Sequence, residues 1–164
     1  AVVGGGVGAL AFFAPGLVGG GDPLTQAALA GVPALAILPI LFLLRFGLGA
    51  VSYAAGTPGG LFAPLLVLGA QLGLFFGLIC RVGVPALDIT PEAFAVVGMG
   101  ALFTAIVRAP LTGIVLVIEM TASFVLLLPL LAACFGAMVV ATLLRDKPIY
   151  DSLRERTLQS VSGR

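Results

Sequence analysis

Gly56-Thr57-Pro58-Gly59-Gly60-Leu61-Phe62-Ala63-Pro64, with the apolar run Leu65 to Cys80 behind it, is the stretch on which the fold turns. Two prolines and three glycines do not suit a continuous helix, because proline lacks an N–H and glycine retains too much backbone freedom. The flanking residues are nevertheless too apolar for water. A broken transmembrane segment satisfies both constraints, with a helix starting near Leu61 inside the bilayer and Pro64 in its first turn, where a missing N–H costs least. A helix start turns N–H groups outward without intrahelical partners, and the aligned peptide dipoles place about half a positive charge there. Leu61 and Phe62 are thus expected to offer main-chain donors to an anion.

The composition supports a membrane setting. Of 164 residues, 60% are hydrophobic and only 9% charged, and the mean hydropathy is +1.24. These values lie far outside the soluble range. The apolarity continues from Ala1 to about Leu144, which a signal peptide does not explain. The chain opens without Met inside a glycine-rich apolar run and reads as a piece of something longer. Histidine is absent, which removes a His-ligated metal, a Ser–His–Asp triad and an imidazole proton shuttle. No Ser/Asp or Asp/Asp pair suits an intramembrane enzyme, so no enzymatic activity, metal or cofactor is expected. Nothing in the net charge of +1 suggests a nucleic-acid partner. Cys80 and Cys134 lie in apolar runs and read as packing residues.

Along the chain, Ala1 to Phe13 carries Gly4 and Gly8 at the spacing that lets membrane helices approach closely. Ala14 to Pro23 reads as a loop. Leu24 to Ala50 reads as two helical pieces, the second running from Ala34 to Ala55 with a kink at Pro39. Leu65 to Arg81 is expected to be a helix of about 17 residues, near the lower limit for spanning, with Gly69, Gly73 and Gly77 along one face. Val82 to Pro91 reads as an aqueous loop, and Thr90 or Pro91 starts the next helix with Glu92 in its first turn. Phe94 to Val107 is cut off by Arg108-Ala109-Pro110, Leu111 to Thr121 is shorter still, and Phe124 to Leu144 is long enough to span. From Arg145 onward the composition changes. Five basic residues (Arg145, Lys147, Arg154, Arg156, Arg164) and three acidic ones (Asp146, Asp151, Glu155) make up eight of the chain's fifteen charges. This end is expected to face the cytoplasm. Short apolar segments broken by Gly and Pro cannot leave free backbone groups in lipid, so their ends must be buried in protein or line a polar path. A transporter or channel core has this form.

Three blocks then point to a family. Gly60-Leu61-Phe62-Ala63-Pro64 contains the pattern G-x-F-x-P. Gly98-Met99-Gly100-Ala101-Leu102 is followed by Arg108-Ala109-Pro110-Leu111-Thr112-Gly113 and Glu119-Met120-Thr121, and Lys147-Pro148-Ile149-Tyr150 opens the charged tail. In this order and at these spacings the chain resembles the CLC chloride channels and proton-coupled chloride transporters, over the C-terminal half of their membrane domain. The resemblance implies an all-α integral membrane fold of broken and tilted helices, one inverted-repeat half of a CLC-type domain. Residues 1–144 would be its membrane helices, and 145–164 its cytoplasm-facing terminal helix and tail.

The resemblance also implies chloride as the transported ligand, held through Gly60, Leu61 and Phe62 and by the hydroxyl of Tyr150. It implies a homodimer through residues 111–135, with Leu111, Ile114 and Leu127 at the contact, in the plasma (inner) membrane. The motifs G-S-G-I-P and G-K/R-E-G-P, the second carrying the gating glutamate, are missing from this chain and belong to the N-terminal half of the same domain. A fluoride-selective relative and an inactive structural or dimerising fragment are the competing readings. Residue by residue, Phe62 also reads as a packing aromatic and Tyr150 as an interfacial anchor. Glu119 reads as a helix-end carboxylate or a proton relay, Arg45 as a snorkelling or paired charge, and Arg108 as a helix-end residue near water, with attraction of anions to the vestibule as the lesser alternative.

Overall fold

Prolines and glycines divide this apolar chain into helices, and they do so mostly at helix ends. The computed structural model describes residues 2–55, 60–86, 88–145 and 147–162, with the side chains of 2, 3, 156, 157 and 159–162 outside the description. Gly56 to Gly59 of the opening stretch, Asp146 and Arg164 therefore lie outside the described residues. Among those described, every regular element is helical: α1 (Val2–Phe13), a 3-10 turn (Pro15–Leu17), α2 (Asp22–Leu29), α3 (Leu38–Ala54), α4 (Phe62–Gly83), α5 (Pro91–Val107), α6 (Pro110–Thr121), α7 (Leu127–Leu143) and α8 (Ile149–Ser162).

Pro23, Pro39, Pro91, Pro110 and Pro129 all fall in the first turn of a helix, where the absent N–H has no intrahelical role. This corrects the expected kink at Pro39. That proline sits just inside the start of α3, and the residues from Ala30 to Ile37 form a non-helical link instead of the first turns of one long helix. The expected loop at Ala14 to Pro23 is also more ordered, holding the 3-10 turn and the start of α2. α4 is longer than expected, with 22 residues, or about 33 Å. Among the described residues it is the helix long and apolar enough to cross a bilayer by itself, with a mean hydropathy of 2.1 over its most apolar window. α1 and α6, at 12 residues each, reach only about 18 Å.

The chain forms two compact units, 1–99 and 100–164, dividing within α5. In the first, α4 is central: Leu65 to Gln71, Gly73, Leu74, Gly77 and Leu78 are all buried. α2 and α3 pack on it, and the first half of α5 packs against its glycine face. A Cβ on Gly69 would stand 2.5 Å from the Gly98 carbonyl oxygen, one on Gly77 would stand 2.9 Å from Pro91 Cα, and one on Gly73 would overlap the Phe94 carbonyl. The four-residue glycine spacing brings the two backbones together, as in close membrane helix pairs. In the second unit α6 packs on α7. Gly100 leaves room for Leu130 and for Cys134, whose Sγ would lie 3.1 Å from an added Cβ. Cys134 is fully buried and packs as expected of an apolar residue.

Candidate anion-binding site

The site begins with where α4 begins. Leu61 is the residue before the first helical one, with φ −75° and ψ −20°, and no side chain caps the helix. The first intrahelical bond runs from the Leu65 N–H to the Leu61 carbonyl at 3.1 Å. Pro64 falls before that bond and removes one donor from the turn. Gly60 is exposed, and Leu61, Phe62 and Ala63 are half-buried. The main chain of Leu61 to Ala63 therefore forms a helix start without a side-chain cap at Leu61, at the positive end of the helix dipole. Gly60, Leu61 and Phe62, singled out from sequence, come together there.

Against this start lies the loop from Pro15 to Gly21. The Arg45 guanidinium on α3 donates to the carbonyls of Leu17 (Nη1, 2.9 Å) and Gly19 (Nη2, 3.1 Å), and Arg45 is 7% exposed. Among the described residues it is neither a snorkelling charge nor half of an ion pair, because it is buried and donates to two main-chain carbonyls. Gly21, at φ +87°, has no space for a Cβ, which would meet Arg45 Nη2 and stand 2.6 Å from Val67 Cγ2. This arrangement escaped the sequence reading. Its signal was the triplet Gly19-Gly20-Gly21 together with a lone arginine in an apolar helix. Gln71, also unremarked from sequence, is 1% exposed on α4, and its Oε1 has no partner among the described residues.

Tyr150 belongs to the second unit, in the first turn of α8 as expected, and is 54% exposed. The Pro148 carbonyl accepts from the N–H groups of Asp151 and Ser152, both at 3.1 Å. Lys147 pairs with Glu155 at 2.7 Å, an exposed bridge of the kind worth under about 1 kcal/mol. Arg108, at φ +65°, donates from Nη2 to the Ala141 carbonyl at 2.8 Å and from Nη1 to the Met138 carbonyl at 3.2 Å. It thus caps the last turn of α7, where a cation suits the dipole. Its place at the end of α5 is as expected. Glu119 is exposed in the last turn of α6. Leu111 is 66% exposed on α6, Leu127 is half-buried at the start of α7, and Ile114 is buried at 4%. Ile114 therefore lies behind the face that Leu111 presents.

Residues 1–142 match the sequence profile described as "Voltage gated chloride channel". The chain belongs to this chloride channel family. Similar members include the H(+)/Cl(-) exchange transporter ClcA of Vibrio parahaemolyticus, 47% identical over 97% of this chain and 34% of that protein. The ClcA of Klebsiella pneumoniae is 44% identical over 96% of this chain and 33% of its own length. Among solved structures, a slow cyanobacterial Cl-/H+ antiporter is similar with a TM-score of 0.81 and 40% identity, over 87% of this chain and 34% of that one. The chain thus spans about a third of the length of these chloride channel family relatives, and it shares its helical fold with the antiporter structure over 87% of its own length.

Proposed function

We propose that the full-length protein exchanges chloride for protons across a membrane, and that this chain supplies part of its anion site. The observation that carries the reading is the start of α4 at Phe62, with no side-chain cap at Leu61, lying on the G-x-F-x-P pattern. Chloride is a large, weakly basic anion. Main-chain N–H groups at Leu61 and Phe62, with the dipole behind them, would hold it without a fixed cation, and the Tyr150 phenol in α8 is a neutral donor of the same kind. Gly60 keeps the approach to this start free of a side chain. Neutral donors suit transport, because the ion must enter readily and still leave. The names of the similar proteins, which are H(+)/Cl(-) exchange transporters, favour coupled exchange over simple conduction.

The protein would act as a homodimer in the plasma (inner) membrane. Its contact would use the exposed faces of α6 and α7, including Leu111 and Leu127, with Ile114 packed behind them. The basic residues after Leu144 favour a cytoplasmic side for the C-terminal segment. Liposomes carrying the full-length protein test the reading. A chloride gradient should drive proton uptake against a pH gradient, and liposomes that pass neither ion would overturn it.

A further inference from the structure

We infer that Arg45 is a positioning residue for the anion site, acting through the glycine loop that it holds against the first turns of α4. This rests on the proposed role of the α4 start in binding chloride. Three observations meet at one place. The Arg45 guanidinium reaches across from α3 with two parallel N–H donors, one to the Leu17 carbonyl (2.9 Å) and one to the Gly19 carbonyl (3.1 Å). The loop so held lies against α4: a Cβ on Gly20 would stand 3.5 Å from Ala63 Cβ, next to Phe62, and one on Gly21 would stand 2.6 Å from Val67 Cγ2, one turn further on. Gly21 also sits at φ +87° and directly precedes α2, which itself packs on α4.

Arg45 is 7% exposed. A buried guanidinium needs its hydrogen bonds, and the planar fork of arginine meets two carbonyls at a fixed spacing, which a lysine ammonium cannot reproduce. The clamp thus fixes where the loop ends and where the first turn of α4 rests. A helix start that coordinates an ion through main-chain N–H groups has no side chains to readjust. Its affinity depends on where the backbone sits, and such a site needs support from the residues packed behind it.

Chloride binding to the full-length protein, measured by titration calorimetry, tests this. Arg45→Lys keeps the charge but not the fork, and should raise the chloride dissociation constant about tenfold, with the chloride-to-nitrate preference reduced. Arg45→Gln should raise it further. Arg81→Gln, at the exposed far end of α4, should leave it unchanged. Gly20→Val leaves Arg45 intact and enlarges the contact at Ala63, so it should also weaken binding, and it decides the matter should the Arg45 variants fail to fold. Folded Arg45→Lys or Gly20→Val protein that binds chloride with wild-type affinity and preference would overturn the inference while leaving the anion site standing. A wild-type protein that binds no chloride would overturn the proposed site itself.

Discussion

If the start of α4 binds chloride as proposed, Phe62 should matter for its backbone more than for its ring. As the first helical residue of α4 it has an N–H with no part in the intrahelical ladder, so Phe62→Pro deletes that donor without removing a helix bond. Chloride binding measured by calorimetry should vanish in Phe62→Pro and persist in Phe62→Leu. Because proline disfavours the helical region for the residue before it, and Leu61 has φ −75° and ψ −20°, circular dichroism should accompany the measurement. Tyr150 is a different kind of residue, a single neutral donor in the first turn of α8. Tyr150→Phe should cost about 0.5–1.5 kcal/mol, a roughly 2- to 13-fold loss of chloride affinity, and should degrade proton coupling. Tyr150→Trp separates the ion site from an interfacial anchor: normal flux and selectivity in that variant would favour the anchor. The helix starts at both positions were legible in the sequence because a G-x-F-x-P pattern and a proline-started amphipathic tail each imply one. Arg45 was not, since its partners are the carbonyls of a loop 26 and 28 residues away in sequence, and no local pattern encodes that distance.

At the scale of elements, the glycine face of α4 is the clearest case of sequence becoming packing. Gly69, Gly73 and Gly77 recur every fourth residue, and α5 approaches so closely that a side chain at Gly73 would overlap the Phe94 carbonyl. Gly73→Leu should therefore force the helices apart and destabilise the protein by about 1–3 kcal/mol or more, seen as a lower melting temperature in detergent. An unchanged melting temperature would mean that the α4–α5 contact is looser than its geometry. Helix ends were harder to read than helix faces. Pro39 in an apolar run suits either a kink or a helix start, and only the α2–α3 link, with the Ala34 carbonyl accepting from Ile37 and Leu38, distinguishes them. The span of α4 was underestimated for a related reason. The helix start near Leu61, with Pro64 in the first turn, agrees with the structure, and the apolar run from Leu65 to Arg81 omits Phe62 to Pro64 at one end and Val82 and Gly83 at the other.

For the whole molecule, composition alone marked the membrane, and the order of three motifs marked the family. The partners of the exposed faces could not be read so directly, because apolar residues facing lipid and those facing protein look alike in sequence. Leu111, Ile114 and Leu127 illustrate this. All three are apolar, yet Leu111 is 66% exposed and Ile114 is 4% exposed. Trp at both Leu111 and Leu127 should yield monomers that still transport chloride, and a dimer persisting in light scattering would place the contact elsewhere.

The central claim, that a halide rests on the main chain at the start of α4, has a direct test in crystals of the full-length protein grown in bromide. The anomalous difference map should show a peak at hydrogen-bonding distance from the backbone nitrogens of Leu61 and Phe62. Bromide peaks elsewhere in the protein, with none at that helix start, would contradict it.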